Sequence, residues 1–231
     1  MRSFQRPGNL IQFKQVLKRY ADGYDALKHV SLVIPKGSIT FLTGHSGAGK
    51  STLLKLISLS EKSTRGQVLV EGEDLATFRG NKIAYHRRKI GRVYQDHKLL
   101  IDRTVEDNVA LPLIVSGASN EECRRRSRAA LDKVGLLQMS KRYPASLSAG
   151  EQQRVGIARA VVGRPQIILA DEPTGNLDPD LADEIMSLFF LFNQLEVTVV
   201  IATHDHRHLQ REGVGLLALK NGQIVRDSYS P

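Results

Sequence analysis

The 231-residue chain has the composition of a globular protein, with 41% hydrophobic and 25% charged residues. No apolar stretch approaches the roughly 20 residues that span a bilayer, and residues 1–9 lack the apolar region of a signal peptide. These features exclude the fibrous, disordered and membrane-spanning classes and predict a cytoplasmic protein. The net charge of +9 favours a partner of opposite charge, either nucleic acid or the anionic inner face of a membrane.

The cysteine and histidine content does not predict a zinc site. Cys123 is the single cysteine, so it cannot form an internal disulfide, and we expect it to be buried or half-buried without a chemical role. Several histidines cluster in residues 204–208, and the first of them receives a different role below. The densest basic run, residues 124–128, follows a helix-like pattern and is expected to be a solvated helix face.

In chain order, the first segments alternate apolar and polar residues. The alternation occurs at residues 10–17, 30–34 and 68–70, and it is typical of half-buried strands. The sequence therefore predicts a small antiparallel sheet beside the main core.

A glycine-rich segment follows an apolar run at residues 39–42 and precedes a helical pattern. It matches G-x-x-x-x-G-K-[ST] in the strand-loop-helix context that gives this motif its meaning. The glycines let backbone N–H groups point at phosphates, and the helix dipole favours the same anion. We therefore predict nucleoside triphosphate binding, with Lys50 reaching the β- and γ-phosphates and Ser51 holding Mg²⁺. The predicted binding residues here are Gly44, His45, Ser46, Gly47, Ala48, Gly49, Lys50, Ser51 and Thr52.

Residues 96–165 show helical periodicity without strand-like runs. A helix is expected to begin at Thr104, and Pro112 is expected to kink or interrupt it. Ser148 and Glu151 have the spacing of a capping box at the start of another helix. This part of the chain is therefore predicted to be a helical subdomain inserted into the core.

Two further apolar runs, residues 167–170 and 197–202, predict strands of a parallel sheet that is buried on both faces. Asp171 and Glu172 directly follow the first run, at the end of a strand where open α/β sheets place ligands. Asp171 is predicted to bind Mg²⁺, directly or through water. Glu172 is predicted to act as the general base toward the attacking water.

A hairpin is predicted near the C-terminus. Residues 215–219 and 223–225 flank Asn221-Gly222, which is the strongest short-range signal for a two-residue hairpin turn.

Residues 147–154, with the sequence L-S-A-G-E-Q-Q-R, resemble the L-S-G-G-Q signature of ATP-binding cassette (ABC) ATPases. The resemblance implies that the helix N-terminus with Ser148, Gly150 and Glu151 faces the γ-phosphate held by a second subunit. It therefore implies a homodimer with ATP at the interface. Ala149 departs from the pattern, because it occupies the first glycine of the signature and its methyl group would restrict φ and crowd the incoming phosphate.

Further positions follow from the resemblance to ABC ATPases. Tyr20 resembles the aromatic residue that stacks on adenine, and Tyr24 is the competing candidate. Gln95 resembles the glutamine that senses Mg²⁺ and the γ-phosphate at the hinge to the helical subdomain. Asp178, in the run Asn176-Leu177-Asp178, would communicate across the dimer, and His204 matches the histidine that contacts the γ-phosphate. The implied catalytic residues are Glu172, His204 and Lys50.

The sequence also shows a narrower resemblance, carried by residues 42–50, 95–104 and 107–112. Together these stretches resemble the FtsE family of bacterial cell-division ABC ATPases. The resemblance implies ATP hydrolysis coupled to a membrane subunit, FtsX, which changes the shape of the complex and thereby controls peptidoglycan hydrolases during septation. It implies a peripheral position on the cytoplasmic side of the inner membrane and indirect links to the division machinery, and no nucleic acid is expected.

Two other classes of cassette ATPase share some of these features. Lipoprotein-release and macrolide-export ATPases share the G-E-Q-Q-R and D-E-P-T-G-N-L-D runs, and only residues 95–104 favour the cell-division family over them. A soluble cassette ATPase acting on DNA or ribosomes would suit the positive charge. Such proteins usually carry a coiled-coil insertion or a second cassette, and 231 residues leave room for neither.

The expected fold is α/β, an ABC nucleotide-binding domain with a RecA-like core, a small antiparallel β subdomain and an inserted helical subdomain. We expect one domain over residues 1–231, with 1–95 and 166–231 forming the core and the antiparallel subdomain, and 96–165 forming the helical part.

A groove beside Gln95, bordered by residues 104–117, is expected to receive a cytoplasmic helix of the membrane subunit. Leu99, Leu100 and Ile101 are candidates for the docking surface, and packing in the core is the alternative for at least two of them.

Overall fold

A computed structural model describes residues 8–175, 177–205, 207, 209 and 211–229. The strands are β1 (Asn9–Arg19), β2 (Asp25–Pro35), β3 (Ile39–Thr43), β4 (Arg65–Val70), β5 (Glu73–Asp74), β6 (Ile90–Val93), β7 (Ile167–Asp171), β8 (Thr198–Ala202), β9 (Val214–Lys220) and β10 (Gln223–Asp227). The α-helices are α1 (Lys50–Ile57), α2 (Asn81–Arg88), α3 (Val105–Val115), α4 (Asn120–Lys133), α5 (Ala149–Val161) and α6 (Pro179–Gln194). Asn176, His206 and His208, which the sequence analysis singled out, lie outside the described residues.

The main sheet has six strands in the order β10-β9-β3-β8-β7-β6. Strands β6, β7, β8, β3 and β9 pair in parallel, and β10 pairs antiparallel with β9. The three predicted parallel strands are therefore confirmed. Strand β6 was not predicted, because Gly91 and Arg92 interrupt its apolar pattern; Gly91 is required there because a Cβ would overlap the carbonyl oxygen of Ala160.

The apolar runs are buried on both faces of the main sheet, as their composition predicts. Ile167 and Leu169 of β7 belong to one core cluster with α1 and the antiparallel strands, whereas Ile168 and Ala170 belong to a second cluster with α3, α4, α5 and α6. Helices therefore cover both faces of the sheet, and the carboxyl ends of its parallel strands remain at one open edge.

The predicted antiparallel sheet is confirmed and is larger than expected, with four strands in the order β2-β1-β4-β5. Its apolar face packs on α1, which lies between this sheet and the main sheet. Charged residues end β1, at Lys18 and Arg19, and begin β2, at Asp25 and Lys28, so the alternating pattern shows only part of each strand.

Between β6 and β7 every residue is described, and the chain forms only helices and turns, in agreement with the predicted helical segment. Thr104 caps α3 in a capping box with Asp107. Helix α3 continues three residues beyond Pro112, so of the two predicted effects, a kink or an interruption, the interruption is wrong. Proline has no backbone N–H, so one hydrogen bond of the helix is missing at this position. Burial of α3 against α4 and α5 maintains the helix despite this loss.

The predicted hairpin is confirmed as β9 and β10, with Asn221 and Gly222 at positive φ of 51° and 81° in the turn. Cys123 is buried, as expected. The basic run on α4 is only partly solvated, because Arg126 is half-buried and donates to the carbonyl oxygen of Val162 at 2.6 Å. No helix in the described ranges is long and apolar enough to cross a membrane.

Candidate active site

A cavity of about 430 Å³ opens at the carboxyl ends of β3, β7 and β8. It brings together four of the segments that the sequence analysis selected: the glycine-rich loop, Gln95, the two carboxylates after β7, and His204. The described lining residues are Tyr24, Ala26, Ser46, Gly47, Ala48, Gly49, Lys50, Ser51, Thr52, Gln95, Asp171, Glu172 and His204.

The glycine-rich loop ends at Gly49, the N-cap of α1, whose backbone is left-handed with φ of 109°. No side chain caps this helix, so its first N–H groups face the cavity without a side-chain partner. A Cβ at Gly49 would lie 2.5 Å from the carbonyl oxygen of Ala26, and one at Gly44 would overlap the carbonyl oxygen of Leu219. Both glycines are therefore needed for the loop to curl around an anion.

Lys50 is buried beneath the loop, and its ammonium group donates to the carbonyl oxygens of Gly44 at 2.7 Å and His45 at 3.3 Å. The same Nζ lies 3.6 Å from Oε1 of Glu172. Gly44 and His45 do not line the cavity; their carbonyl oxygens position the ammonium group of Lys50. This arrangement keeps a positive charge at the floor of the cavity, where a phosphate group would carry negative charge.

Ser51 and Asp171 meet across the cavity, with the hydroxyl of Ser51 donating to Oδ1 of Asp171 at 3.0 Å. Gln95 lines the same cavity. A hydroxyl, a carboxylate and a side-chain amide supply oxygen atoms, the ligand type that Mg²⁺ prefers when most of its shell comes from water and phosphate. No cluster of three or more His, Cys, Asp or Glu side chains suited to a metal occurs among the described residues.

Glu172 and His204 form a pair at the mouth of the cavity. Oε2 of Glu172 lies 2.8 Å from Nδ1 of His204 and 3.3 Å from its backbone nitrogen, which donates to it. Glu172 has a left-handed backbone, with φ of 47°. A non-glycine residue in that region is strained and is held by its surroundings, here by His204 and by its own N–H donating to the carbonyl oxygen of Ala202.

The two tyrosines weighed as aromatic contacts differ in position. Tyr24 lines the cavity, is 51% exposed, and donates its hydroxyl to the carbonyl oxygen of Gly47 at 2.8 Å. Tyr20 does not line the cavity; it is half-buried, and its hydroxyl lies 3.2 Å from that of Thr52. The geometry therefore places Tyr24 nearer to a ligand in this cavity.

The signature residues lie apart from the cavity, at the start of α5. Ser148 accepts from the N–H of Glu151, and Glu151 accepts from the N–H of Ser148 at 2.7 Å, which completes the predicted capping box. These hydrogen bonds from Ser148 hold the pKa of Glu151 below its usual value. Ala149 has an ordinary negative φ as the first residue of the helix and is exposed, so its methyl group causes no backbone strain and faces outward.

Gly150 and Asp178 connect this helix to α6. Asp178 caps α6 by accepting from the N–H of Leu181 at 3.0 Å. The side chain of Leu181 occupies the space that a Cβ at Gly150 would need. Neither Gly150 nor Asp178 lines the nucleotide-sized cavity, so a ligand held there by one chain would not reach them in the same chain.

Comparison with known proteins assigns the family. The sequence model described as ABC transporter matches residues 27–175. The cell division ATP-binding protein FtsE of Escherichia coli strain K12 is 52% identical over 215 residues, which cover 93% of this chain and 97% of that protein. The FtsE of Bacillus subtilis strain 168 is 44% identical, with 94% and 96% covered. This chain belongs to the FtsE family of ABC ATPases.

A solved structure supports the fold of this FtsE-family chain. The ATP-binding cassette MJ0796, in a dimeric post-hydrolysis state bound to ADP and Pi, superposes with a TM-score of 0.87 at 37% identity, covering 95% of this chain and 98% of that one. A second dimeric structure of the same cassette gives the same TM-score at 38% identity. The ABC nucleotide-binding fold predicted from the sequence is therefore confirmed.

This FtsE-family chain has a second, larger cavity that was not predicted from the sequence, with a volume of about 790 Å³. It lies between α2 and β6 on one side and α3 and α5 on the other, and Tyr94, next to Gln95, lines it. None of its described lining residues carries a carboxylate, and five are arginines: Arg87, Arg88, Arg92, Arg126 and Arg159. The sequence signal was the Arg87-Arg88 doublet; the other three are scattered along the chain.

This second cavity is an arginine-lined groove, and the three residues predicted for docking, Leu99, Leu100 and Ile101, do not line it. Leu99 is half-buried and packs on the core, which supports the alternative given for it. Leu100 and Ile101 are 41% and 76% exposed but lie outside the lining. The apolar wall of the groove instead comes from α3, where Val115 is 75% exposed.

Proposed function

We propose that two copies of this chain hydrolyse ATP between them as the ATPase subunit of a cell-division complex in the membrane. The observation that carries the proposal is the convergence of Lys50, Ser51, Asp171, Glu172 and His204 on one cavity in a chain of the FtsE family. The uncapped start of α1 and the ammonium group of Lys50 supply donors for a triphosphate.

In this proposal Glu172 is the general base. Its carboxylate accepts hydrogen bonds from His204, which fix its orientation at the cavity mouth, and it can take the proton of a water that attacks the γ-phosphate. The ammonium group of Lys50 lies at the cavity floor, where it can stabilise the negative charge of the phosphates. His204 is exposed, so it can contact the γ-phosphate directly as well as hold Glu172.

The oxygen atoms of Ser51 and Asp171 fit Mg²⁺, and Gln95, which lines the same cavity, adds an amide oxygen. Magnesium, when bound, neutralises phosphate charge. The hydrogen bond between Ser51 and Asp171 keeps these two oxygen atoms 3.0 Å apart, so a single ion could bind both.

Dimerisation would complete the site. Ser148, Gly150 and Glu151 lie at an exposed helix start away from the cavity of their own chain, and Asp178 caps the neighbouring helix. A second copy facing this surface would bring its phosphates to the signature helix, in keeping with the dimeric state of the MJ0796 cassette. The carboxylate of Glu151 would then lie near the phosphates and would repel them. The hydroxyl of Ser148 and the N–H groups at the start of α5 must therefore supply the attraction to the phosphates.

The arginine-lined groove is the proposed docking site for the membrane subunit, FtsX in this family. Its arginines and the apolar wall of α3 fit an amphipathic helix whose polar face carries carboxylates. Such docking would hold the chain on the cytoplasmic side of the inner membrane as a peripheral protein. It also accounts for part of the +9 charge without invoking nucleic acid.

Charge reversal in the groove tests the proposal. Arg88 is exposed, lines the groove, and makes no described hydrogen bond or ion pair, so Arg88→Glu should leave the fold and ATP binding intact. Co-purification of the FtsX subunit with this variant should be lost, and cells carrying it should divide late and form filaments. Arg125→Glu, an exposed change on α4 outside the groove, is the matched control and should retain the partner. Equal recovery of FtsX with both variants would place the partner elsewhere.

A further inference from the structure

The segment that follows Gln95 has a backbone that these residue types rarely adopt. His97 and Lys98 are consecutive and both left-handed, with φ of 54° and 47°. Neither is a glycine, so each needs support from its surroundings to remain in this conformation. Gln95 itself lines the nucleotide cavity two residues earlier.

The support comes from two side chains of α5, the helix that begins at the signature. Arg159 donates from Nη1 to the carbonyl oxygen of Lys98 at 2.7 Å and from Nη2 to that of His97 at 2.5 Å. Its guanidinium group therefore holds both strained residues at once, as only a planar fork of donors can. Burial of this group lowers its pKa from the usual arginine value.

Gln153, six residues earlier on the same helix, makes the second contact. Its Oε1 lies 2.5 Å from Nδ1 of His97, and the side chain is buried at 1% exposure. The Nε2 atom of Gln153 is also buried and has no hydrogen-bond partner within the described part of the chain. Among the described residues, the contact with His97 is therefore the hydrogen bond that this buried amide makes, and losing it would leave the whole amide group unpaired.

Arg159 also lines the arginine-rich groove. One guanidinium group therefore touches the segment after Gln95, belongs to the signature helix, and forms part of the wall where a partner helix would dock. Arg159 and Gln153 together make three hydrogen bonds to the segment after Gln95. This segment and α5 should therefore move together, because separating them would break all three hydrogen bonds.

We propose that Arg159 and Gln153 are positioning residues that join the segment after Gln95 to the signature helix, so that a change at the nucleotide cavity moves α5. The proposal rests on the proposed function only for the contact between Gln95 and the nucleotide. It assigns to these two side chains no contact with ATP, since neither lines the nucleotide cavity.

Hydrogen exchange of the full-length chain, with and without a non-hydrolysable ATP analogue, tests the proposal. In the parent, the analogue should slow amide exchange both in residues 95–100 and in residues 148–152. In Arg159→Lys, which keeps the charge but loses the fork, and in Gln153→Leu, which keeps the size but loses the acceptor, the second response should disappear. Both variants should bind the analogue within about twofold of the parent and lower kcat by roughly tenfold, a split that loss of stability alone would not give.

Matched controls separate this role from a structural one. Arg79→Lys changes a guanidinium group that also donates to two backbone carbonyls, those of Ala76 and Phe78, but lines neither cavity, and it should respond like the parent. Gln153→Glu keeps an oxygen acceptor toward His97, so in this variant the analogue should still slow exchange in residues 148–152. If Arg159→Lys and Gln153→Leu respond like Arg79→Lys, the proposal is overturned. A parent chain that fails to bind the analogue would refute the proposed function itself, and this assignment with it.

Discussion

Replacing Glu172 by glutamine should stop turnover while leaving the site assembled. Glutamine keeps an oxygen that can accept from His204, so the geometry at the cavity mouth should persist. It cannot take a proton from water. Loss of a general base costs about 10²–10⁴-fold in rate, which corresponds to roughly 3–5 kcal/mol of activation free energy. We therefore expect kcat to fall by that factor while ATP affinity changes little.

The contact between His204 and Glu172 adds a second expectation, which concerns their coupling. If His204 acts largely by orienting Glu172, its own replacement by alanine should lower kcat less than Glu172→Gln does. The double variant should then be no slower than Glu172→Gln alone, and the cycle should give an interaction free energy of about 1–3 kcal/mol.

The assay combines ATP titration with single-turnover hydrolysis by the single variants, the double variant and the parent. Titration keeps binding separate from chemistry, and single-turnover rates remove product release from the comparison. Turnover at the parent rate in Glu172→Gln would refute Glu172 as the base. Fully additive losses in the double variant would show that His204 acts on the phosphate independently of the carboxylate.

Three further outcomes are expected. Lys50→Ala should abolish ATP binding in a direct titration, because a triphosphate would lose its buried charge-assisted partner. Burial lowers the pKa of His86 below its usual value of 6.5, so the unfolded chain takes up the proton first. Stability should fall as the pH drops below 6.5, and a urea titration of His86→Gln should show a smaller fall. Ser148→Arg should prevent ATP-driven dimerisation in sedimentation, whereas Ala149→Gly should change it only modestly.

Most residues of the nucleotide cavity could be predicted because they occur in short sequence motifs with a fixed spacing. A glycine-rich loop with Lys50 and Ser51 needs fixed spacing to wrap a phosphate, and the carboxylates of Asp171 and Glu172 follow an apolar strand that must end at the same edge of the sheet. The motif therefore fixes the local geometry, and the parallel sheet brings the segments together. Gln95 and His204, single residues without a local pattern, were assigned only through the resemblance to ABC ATPases.

What sequence reasoning missed depends on contacts between distant segments. The groove arginines come from α2, β6, α4 and α5, and no spacing along the chain shows that they share a wall. The tip of the β9-β10 hairpin is a second case. Gly222 donates to the carbonyl oxygen of Ala48 at 3.1 Å and accepts from the N–H of Lys28 at 2.7 Å, so it ties the glycine-rich loop to the antiparallel sheet. The hairpin itself was predictable from Asn221-Gly222, but its role under the loop was not.

The two cavities are joined by neighbouring residues. Tyr94 lines the arginine-rich groove and Gln95 lines the nucleotide cavity, so one peptide unit, about 3.8 Å of chain, separates the two sites. The ring of Tyr94 lies 4.7 Å from the guanidinium carbon of Arg92, also a groove residue. A partner helix that displaces Tyr94 and Arg92 would therefore also displace Gln95, because Tyr94 and Gln95 are joined by one peptide bond. Arg159 donates to the carbonyl oxygen of His97, two residues after Gln95. Under the two proposals above, the same displacement would therefore reach the signature helix, and occupancy of the groove would be coupled to closure of the nucleotide site.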